Sequence, residues 1–362
     1  MKIGILTVPF NNNYGGFLQA FALKQILTDL GHEVAFINRR RNQSAKTRLV
    51  LFFCEVLDIL HIRRRQTKRI SINTNLFVQR YLTPMTRPIY SKRTMNVCNK
   101  MGFDCVIVGS DQVWRYHYAK DSIDEYFLSF LDKKIRRFSY AASFGIDECD
   151  YPDEKLKVCT ELLELFKGIS VREDSAILLL ESSFSVKKGV AQFVLDPTML
   201  LGVSRYVERL HLQKKQLGDY LFSYILDAEH EKNNYVELIK EKYHLEQDDF
   251  KAQTAKHNDV IRPVEEWVDA IYNSTMVVTD SFHGMVFSII FNKPFYVFVN
   301  RKRGITRFES LLGRLELQDR MVFPDFTKLD DLPINDINWT LVNSKVAILQ
   351  SSSMDYLKQC LQ

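Results

Sequence analysis

Five short polar stretches, each at the end of an apolar run, hold the side chains best suited to chemistry. They are Asn13-Tyr14-Gly15, Gly109-Ser110-Asp111, Ser143-Phe144-Gly145, Arg172-Glu173 and Ser281-Phe282-His283-Gly284. Loops that follow parallel strands all lie on one side of a sheet, so their side chains can converge. In Asp280-Ser281-Phe282-His283-Gly284 a hydroxyl, a ring, an imidazole and a glycine precede a helical pattern from Met285 to Phe291. First-turn N–H groups lack intrahelical partners and favour an anion. Ser281 would be the N-cap, Gly284 would let a ligand approach the backbone, and His283 would give a proton to phosphate or to carbon. The same letters also suit a plain capped turn with a structural histidine.

Arg172 ends the apolar run Ile169-Ser170-Val171, where a bidentate clamp on carboxylate or phosphate belongs. Its neighbours Glu173 and Asp174 equally suit an ion pair at a helix start. Arg301, Arg303 and Arg307 are further cations in the second half, and Arg307 is the one assigned to the cleft. Asp111 and Trp114 suggest a sugar platform, the carboxylate accepting a hydroxyl proton while the indole face stacks on the ring. A helix-capping Asp and a buried Trp would read the same. Asn13-Tyr14-Gly15-Gly16 is not GxGxxG, and neither GxxxxGK[ST] nor HExxH occurs. No other histidines pair at ligand spacing, so the expectation is no metal and no cofactor.

These residues need elements to position them. The order strand (Met1–Thr7), loop, helix (Phe17–Leu30), strand (His32–Asn38) is a βαβ unit, which calls for a parallel sheet. Further strands are expected at Asp104–Val108, Arg137–Ala141, Gly168–Val171 and Gln192–Leu195. Asp196-Pro197-Thr198 then breaks the pattern. Strands restart at Tyr220–Ile225, Met276–Thr279 and Pro294–Val299, with helices at Val264–Asn273 and Trp339–Leu361. The expected architecture is α/β, two Rossmann-like domains facing a cleft. The first covers residues 1–200, with a basic insertion at about 39–93, and the second covers 201–335. A last helix in 336–362 is placed to cross back to the first.

A chain of 362 residues, 46% hydrophobic and 26% charged, suits two soluble domains and not a disordered protein. Six scattered cysteines without a CxxC pair suit a reducing cytoplasm. The apolar start, Ile3 to Val8, is too short for a signal peptide. The net charge of +5 is uneven: Arg39 to Arg93 holds fourteen Lys and Arg against two acids. With Leu49-Val50-Leu51-Phe52-Phe53 in the same stretch, it reads either as a solvated basic face or as a site docking on anionic membrane. No nucleic-acid motif accompanies the charge.

The pieces in this order resemble the polysaccharide pyruvyl transferases. The matching segments are Lys2-Ile3-Gly4-Ile5-Leu6, Asn13-Tyr14-Gly15 with Gln19-Ala20, Leu30-Gly31-His32-Glu33-Val34 and Val106 to Trp114. Ala142-Ser143-Phe144-Gly145, Ile169 to Glu173 and Leu195-Asp196-Pro197-Thr198 follow, then Thr279 to Gly284 and Arg307 to Leu312. The resemblance implies a GT-B-like fold, phosphoenolpyruvate as donor, and a saccharide acceptor on a capsular or exopolysaccharide repeat unit, often lipid-linked. It also implies that His283 and Arg172 matter for activity. On that reading His283 is the general acid and Asp111 orients or deprotonates the hydroxyl. Arg172, Arg307, Ser281 and Gly284 hold phosphoenolpyruvate, and Asn13, Tyr14, Gly15, Trp114 and Ser143 meet the acceptor. The setting implied is the cytoplasm, with peripheral contact to the inner membrane face. Two other readings stay open, a GT-B glycosyltransferase using a nucleotide sugar and a non-catalytic carbohydrate-binding protein.

Overall fold

The structure, a computed structural model, describes residues 1–10, 13–40, 71–215, 218–227, 230–249, 260–299, 304–323, 332 and 336–362. Six strands form the first sheet: β1 (Lys2–Leu6), β2 (Glu33–Phe36), β3 (Cys105–Asp111), β4 (Arg136–Ala142), β5 (Ile169–Val171) and β6 (Ala191–Phe193). They lie in the order β2-β1-β3-β4-β5-β6, every pair parallel. The second sheet holds β7 (Tyr220–Tyr224), β8 (Glu246–Asp249), β9 (Met276–Thr279), β10 (Phe295–Phe298) and β11 (Met321–Val322). Its order is β11-β10-β9-β7-β8, again all parallel. The fold class read from the sequence is the one observed.

Central strands of such sheets are covered on both faces, which is why β3 (CVIVGSD) and β9 (MVVT) are buried at every position. The helix Tyr14–Asp29 is buried continuously from Tyr14 to Leu23, and Phe282–Ile290 is buried from Phe282 to Ile289. A helix apolar all round must be enclosed by protein. These two meet between the sheets, so one apolar cluster runs from Ile3 and Phe21 in the first half to Trp267 and Phe287 in the second. The long helix Trp339–Leu361 returns to the first sheet, where the Tyr356 hydroxyl donates to the Ser139 carbonyl at 2.9 Å and the Leu195 N–H donates to Ser353 at 3.0 Å.

Three local differences from the sequence reading bear on the site. The first helix starts at Tyr14 rather than Phe17, because Asn13 caps it by accepting from the Gly15 N–H. β3 runs through Gly109-Ser110-Asp111 instead of stopping before it, and Asp111 ends it in the left-handed region at φ 75°. The helix Thr306–Leu315, where the sequence suggested only cations, is amphipathic and buries Phe308, Leu311, Leu312 and Leu315. β8 was also not anticipated, since Glu246-Gln247-Asp248-Asp249 has no apolar alternation; it is an edge strand. Most of the basic stretch, including Leu49 to Phe53, and both Arg301 and Arg303 lie outside the described residues. Among the described residues no helix is long and apolar enough to cross a membrane.

Candidate active site

In a doubly wound sheet the crevice opens where neighbouring strands send their connections in opposite directions, between β1 and β3 in the first sheet and β7 and β9 in the second. Here the two switch points face each other. Asn13 and the first helix leave β1, Asp111 ends β3, and Ser281 and His283 leave β9. A Cβ on Gly15 would fall within the His283 ring at Nδ1, so the helix after β1 and the helix after β9 touch at a glycine. Only a residue without a side chain fits there.

The first sheet contributes a buried charge cluster centred on Arg172, which is 2% exposed. Its guanidinium pairs with Asp196 at 2.8 Å, Asp111 at 3.3 Å and Glu173 at 3.9 Å. Burial alone would lower the Arg172 pKa, but Asp196, Asp111 and Glu173 together hold it above its ordinary value. Asp196 accepts from the backbone and hydroxyl of Thr198 on one oxygen, and from Ser110 (2.8 Å) and Arg172 on the other. Burial works to raise its pKa, and His283, Arg172 and Thr198 outweigh burial, so its carboxyl stays well below the usual carboxylate range. Glu173 accepts from the Phe144 and Gly145 N–H groups at 2.9 and 3.0 Å, which fixes the loop after β4.

The second sheet contributes His283, whose Nε2 faces Asp196 Oδ2 at 3.6 Å, an ion pair when the ring is protonated. The ring is 5% exposed and sits in the first turn of its helix. Ser281 caps that turn by accepting from the Gly284 N–H at 3.3 Å. Asp280 accepts from Leu226 and Asp227 N–H groups and from the Lys232 ammonium at 3.0 Å, tying the loop after β7 to the turn before His283.

Arg307 stands apart from this compensation. Its guanidinium lies over the rings of Phe282 (5.5 Å) and Phe308 (6.0 Å), and Arg172 lies over Phe282 at 4.9 Å. Its buried Nε has no hydrogen-bond partner and it forms no ion pair among the described residues. Burial, then the charge of Arg172, lowers its pKa to about 10. Glu173, Asp111 and Tyr118 act on it in the opposite sense. Asp111 and Tyr118 also line a cavity of about 650 Å³, which opens at the carboxyl edge of the first sheet among Phe10, Asn13, Gly16, Arg39, Arg40 and Gln112.

The structure thus brings Asp111, Arg172, Arg307, Ser281 and His283 to one place, with Asn13 on the adjoining cavity. Six expectations need correction. Trp114 is no sugar platform: it is fully buried, its face stacks on Phe127 and its indole N–H donates to the Tyr126 carbonyl. Tyr14 is committed to packing, stacked on Trp267 with its hydroxyl donating to the Arg262 carbonyl at 3.1 Å. Ser143 is fully buried, so it offers nothing to an acceptor. Gly284 clears the Thr279 side chain, whose Oγ1 would lie 2.6 Å from a Cβ, and Gly15 likewise serves His283 instead of a ligand. Arg172, surrounded by three carboxylates, is an internal counter-ion more than an open clamp. The sequence reading missed Asp196 as a site residue, taking it for a break between halves, and gave Glu173 only as an ion-pair neighbour of Arg172. A buried Asp-Pro-Thr at a strand end, with a capping Asp, was the available signal.

Two parallel Rossmann-like sheets with their switch points facing across a charged site define a GT-B-like enzyme. Solved structures agree on the fold. UDP-GlcNAc 2-epimerase of Methanocaldococcus jannaschii, in complex with UDP-GlcNAc and UDP, is similar with a TM-score of 0.53 at 12% identity, over 97% of this chain and 93% of that one. A putative UDP-N-acetylglucosamine 2-epimerase of Listeria monocytogenes is similar with a TM-score of 0.53 at 10% identity, over 99% and 91%. No curated protein matches the chain by sequence. The polysaccharide pyruvyl transferase family model matches residues 13–302, and the chain belongs to that family. It is a transferase of polysaccharide assembly.

Proposed function

We propose that the protein transfers pyruvyl from phosphoenolpyruvate to two hydroxyls of a saccharide, forming a cyclic ketal and releasing inorganic phosphate. The observation that carries this reading is Arg307, a half-buried guanidinium with an enclosed, unpartnered Nε and no ion pair among the described residues, beside the turn that holds His283. A half-buried guanidinium with no counter-ion among the described residues is a ready partner for an anion, because charge-assisted bonds to carboxylate or phosphate are the strong ones. Phosphoenolpyruvate, with a carboxylate and a phosphate, is such a ligand.

A proton from His283 to C3 makes C2 electrophilic, and a sugar hydroxyl adds there as Asp111 orients or accepts its proton. The C2–O bond to phosphate breaks, a second hydroxyl adds to C2, and its proton leaves with the phosphate. Asp196 faces His283 at 3.6 Å and would hold the imidazolium before transfer. The acceptor on this reading is a capsular or exopolysaccharide repeat unit, lipid-linked, met at the membrane through the basic stretch 39–93.

The test is phosphate release from phosphoenolpyruvate with and without a panel of saccharides. Release only with an acceptor is the expected result; hydrolysis without one, or silence with every acceptor, counts against it. A thermal shift separates the nucleotide-sugar reading: phosphoenolpyruvate should stabilise and UDP should not. Pelleting with anionic liposomes at low salt tests the membrane contact.

A further inference from the structure

The cavity of about 650 Å³ is separate in its lining from His283 and Arg307 but shares Asp111 with their cluster. Its size is that of a small-molecule site. Two acids line it, and each is committed: Asp111 to Arg172, and Glu125 to Arg39, whose Nη2 donates to Glu125 Oε1 at 3.0 Å in a buried pair. Arg40, on the same wall, is not matched. Its Nε donates to Asn38 Oδ1 at 2.8 Å, and no acid pairs with it among the described residues. That one bond orients the guanidinium and leaves most of its five donors for a ligand. Asn13 and Gly16, at the amino end of the 16-residue helix Tyr14–Asp29, also line the cavity and add the favourable end of a helix dipole. The apolar surface of Val8, Pro9 and Phe10 completes it, and Tyr118 stands exposed at the rim.

We infer that this cavity binds the acceptor, and that the acceptor is a phosphate-bearing saccharide whose phosphate oxygens are held by Arg40 while a hydroxyl faces Asp111. A phosphate would give the remaining donors of the half-buried Arg40 charge-assisted acceptors, which a neutral sugar lacks. Naming the ligand an acceptor rests on the pyruvyl-transfer reading; the binding itself does not.

Binding is therefore measured without phosphoenolpyruvate, by calorimetry, on the full chain. The probes are hexose and N-acetylhexosamine 1-phosphates and the matching neutral methyl glycosides. The sugar phosphate should bind about tenfold or more tighter than its neutral counterpart, the scale of hydrogen bonds to a charged group. Arg40→Ala should erase that preference and Arg40→Lys should restore part of it. Arg307→Ala should keep it. Equal binding of charged and neutral sugars, no binding by any sugar phosphate, or a preference lost in Arg307→Ala but kept in Arg40→Ala would each overturn the inference. A saccharide diphosphate with a short isoprenoid tail separates two sources of the same chemistry: an Arg40-dependent gain from the tail means a lipid-linked acceptor, and Arg40-dependent binding without a gain means a free sugar phosphate. Failure of phosphate release with intact sugar-phosphate binding would sink the transfer reading and leave this site standing.

Discussion

The two sheets share a winding order, yet their facing ends are built differently. At the end of the first, Asp111, Arg172, Glu173 and Asp196 form a buried cluster of ion pairs, and a cavity opens beside it. At the end of the second, aromatic rings dominate: Trp267 packs on Tyr14, Tyr224, Phe222 and Phe287. His283 and the Asp280–Lys232 pair stand among them, and Arg307 enters from the next helix. The first half is therefore preorganised by ion pairs among its own groups, although Arg172 Nε and Glu173 Oε2 lack hydrogen bonds there, whereas the second delivers Arg307, which forms no ion pair among the described residues. Groups left unmatched by the protein are the ones a ligand can complete.

The largest effect expected from breaking this contrast is on turnover. His283→Ala should lower kcat by ~10²–10⁴, the range for a positioned acid or base, far more than the few degrees of melting temperature lost with a buried ring. Phosphate release by the folded variant at near-normal rate would remove His283 from the chemistry.

Asp196→Asn attacks the ion-paired half. It keeps the volume but removes a carboxylate from Arg172 and His283, and should cost about 3 kcal/mol, the low end for a broken buried pair, because Asp111 and Glu173 still face Arg172. The folded Asp196 pKa lies below its unfolded value. Its contribution is thus fully present above about pH 4, the unfolded carboxylate range, and drains away as pH falls further. Chemical denaturation of the wild type should lose stability on acidification more steeply than Asp196→Asn. Parallel acid limbs would show that Asp196 is not held in this way.

Arg307→Ala should do the reverse of Asp196→Asn. It should raise the KM for phosphoenolpyruvate by roughly 10–100-fold, as loss of hydrogen bonds to a charged group implies, yet leave the unliganded protein about as stable, since Arg307 is half-buried and has no counter-ion among the described residues. A variant that loses stability and keeps its KM would make Arg307 a structural residue.

The legible part of the fold was the parallel strands, because doubly covered strands are written as unbroken apolar runs such as Val106-Ile107-Val108 and Met276-Val277-Val278. His283, Arg172 and Asp111 were legible as candidates because each follows such a run. What each does was less legible, since partners are set by tertiary approach. Trp114 and Tyr14 look like ligand surfaces in one dimension and are packed in three. Asp196 looks like a break, but the fold brings it 2.8 Å from an arginine 24 residues away in the chain. The glycines mislead for a related reason: a missing side chain can make room for a ligand or for another part of the protein, and the letters do not say which.

Gly15 and Gly16 turn that ambiguity into the finest test of the contact between halves. Both lie in the first turn of one helix, where alanine in place of glycine is worth up to about 1 kcal/mol of stability. On Gly16 a new Cβ would meet Asp111 Oδ2 at 3.7 Å, an ordinary contact, so Gly16→Ala should hold or raise the melting temperature. On Gly15 it would overlap the His283 ring, and overpacking of that kind costs roughly 1–3 kcal/mol. The gain in helix propensity offsets part of this, so the melting temperature of Gly15→Ala should fall only a few degrees below that of Gly16→Ala. Its kcat should fall more than its stability suggests, because the overlap is relieved by moving His283 or by parting the halves. If the two alanines behave alike in both measurements, the helix after β1 does not position the histidine, and the halves meet elsewhere.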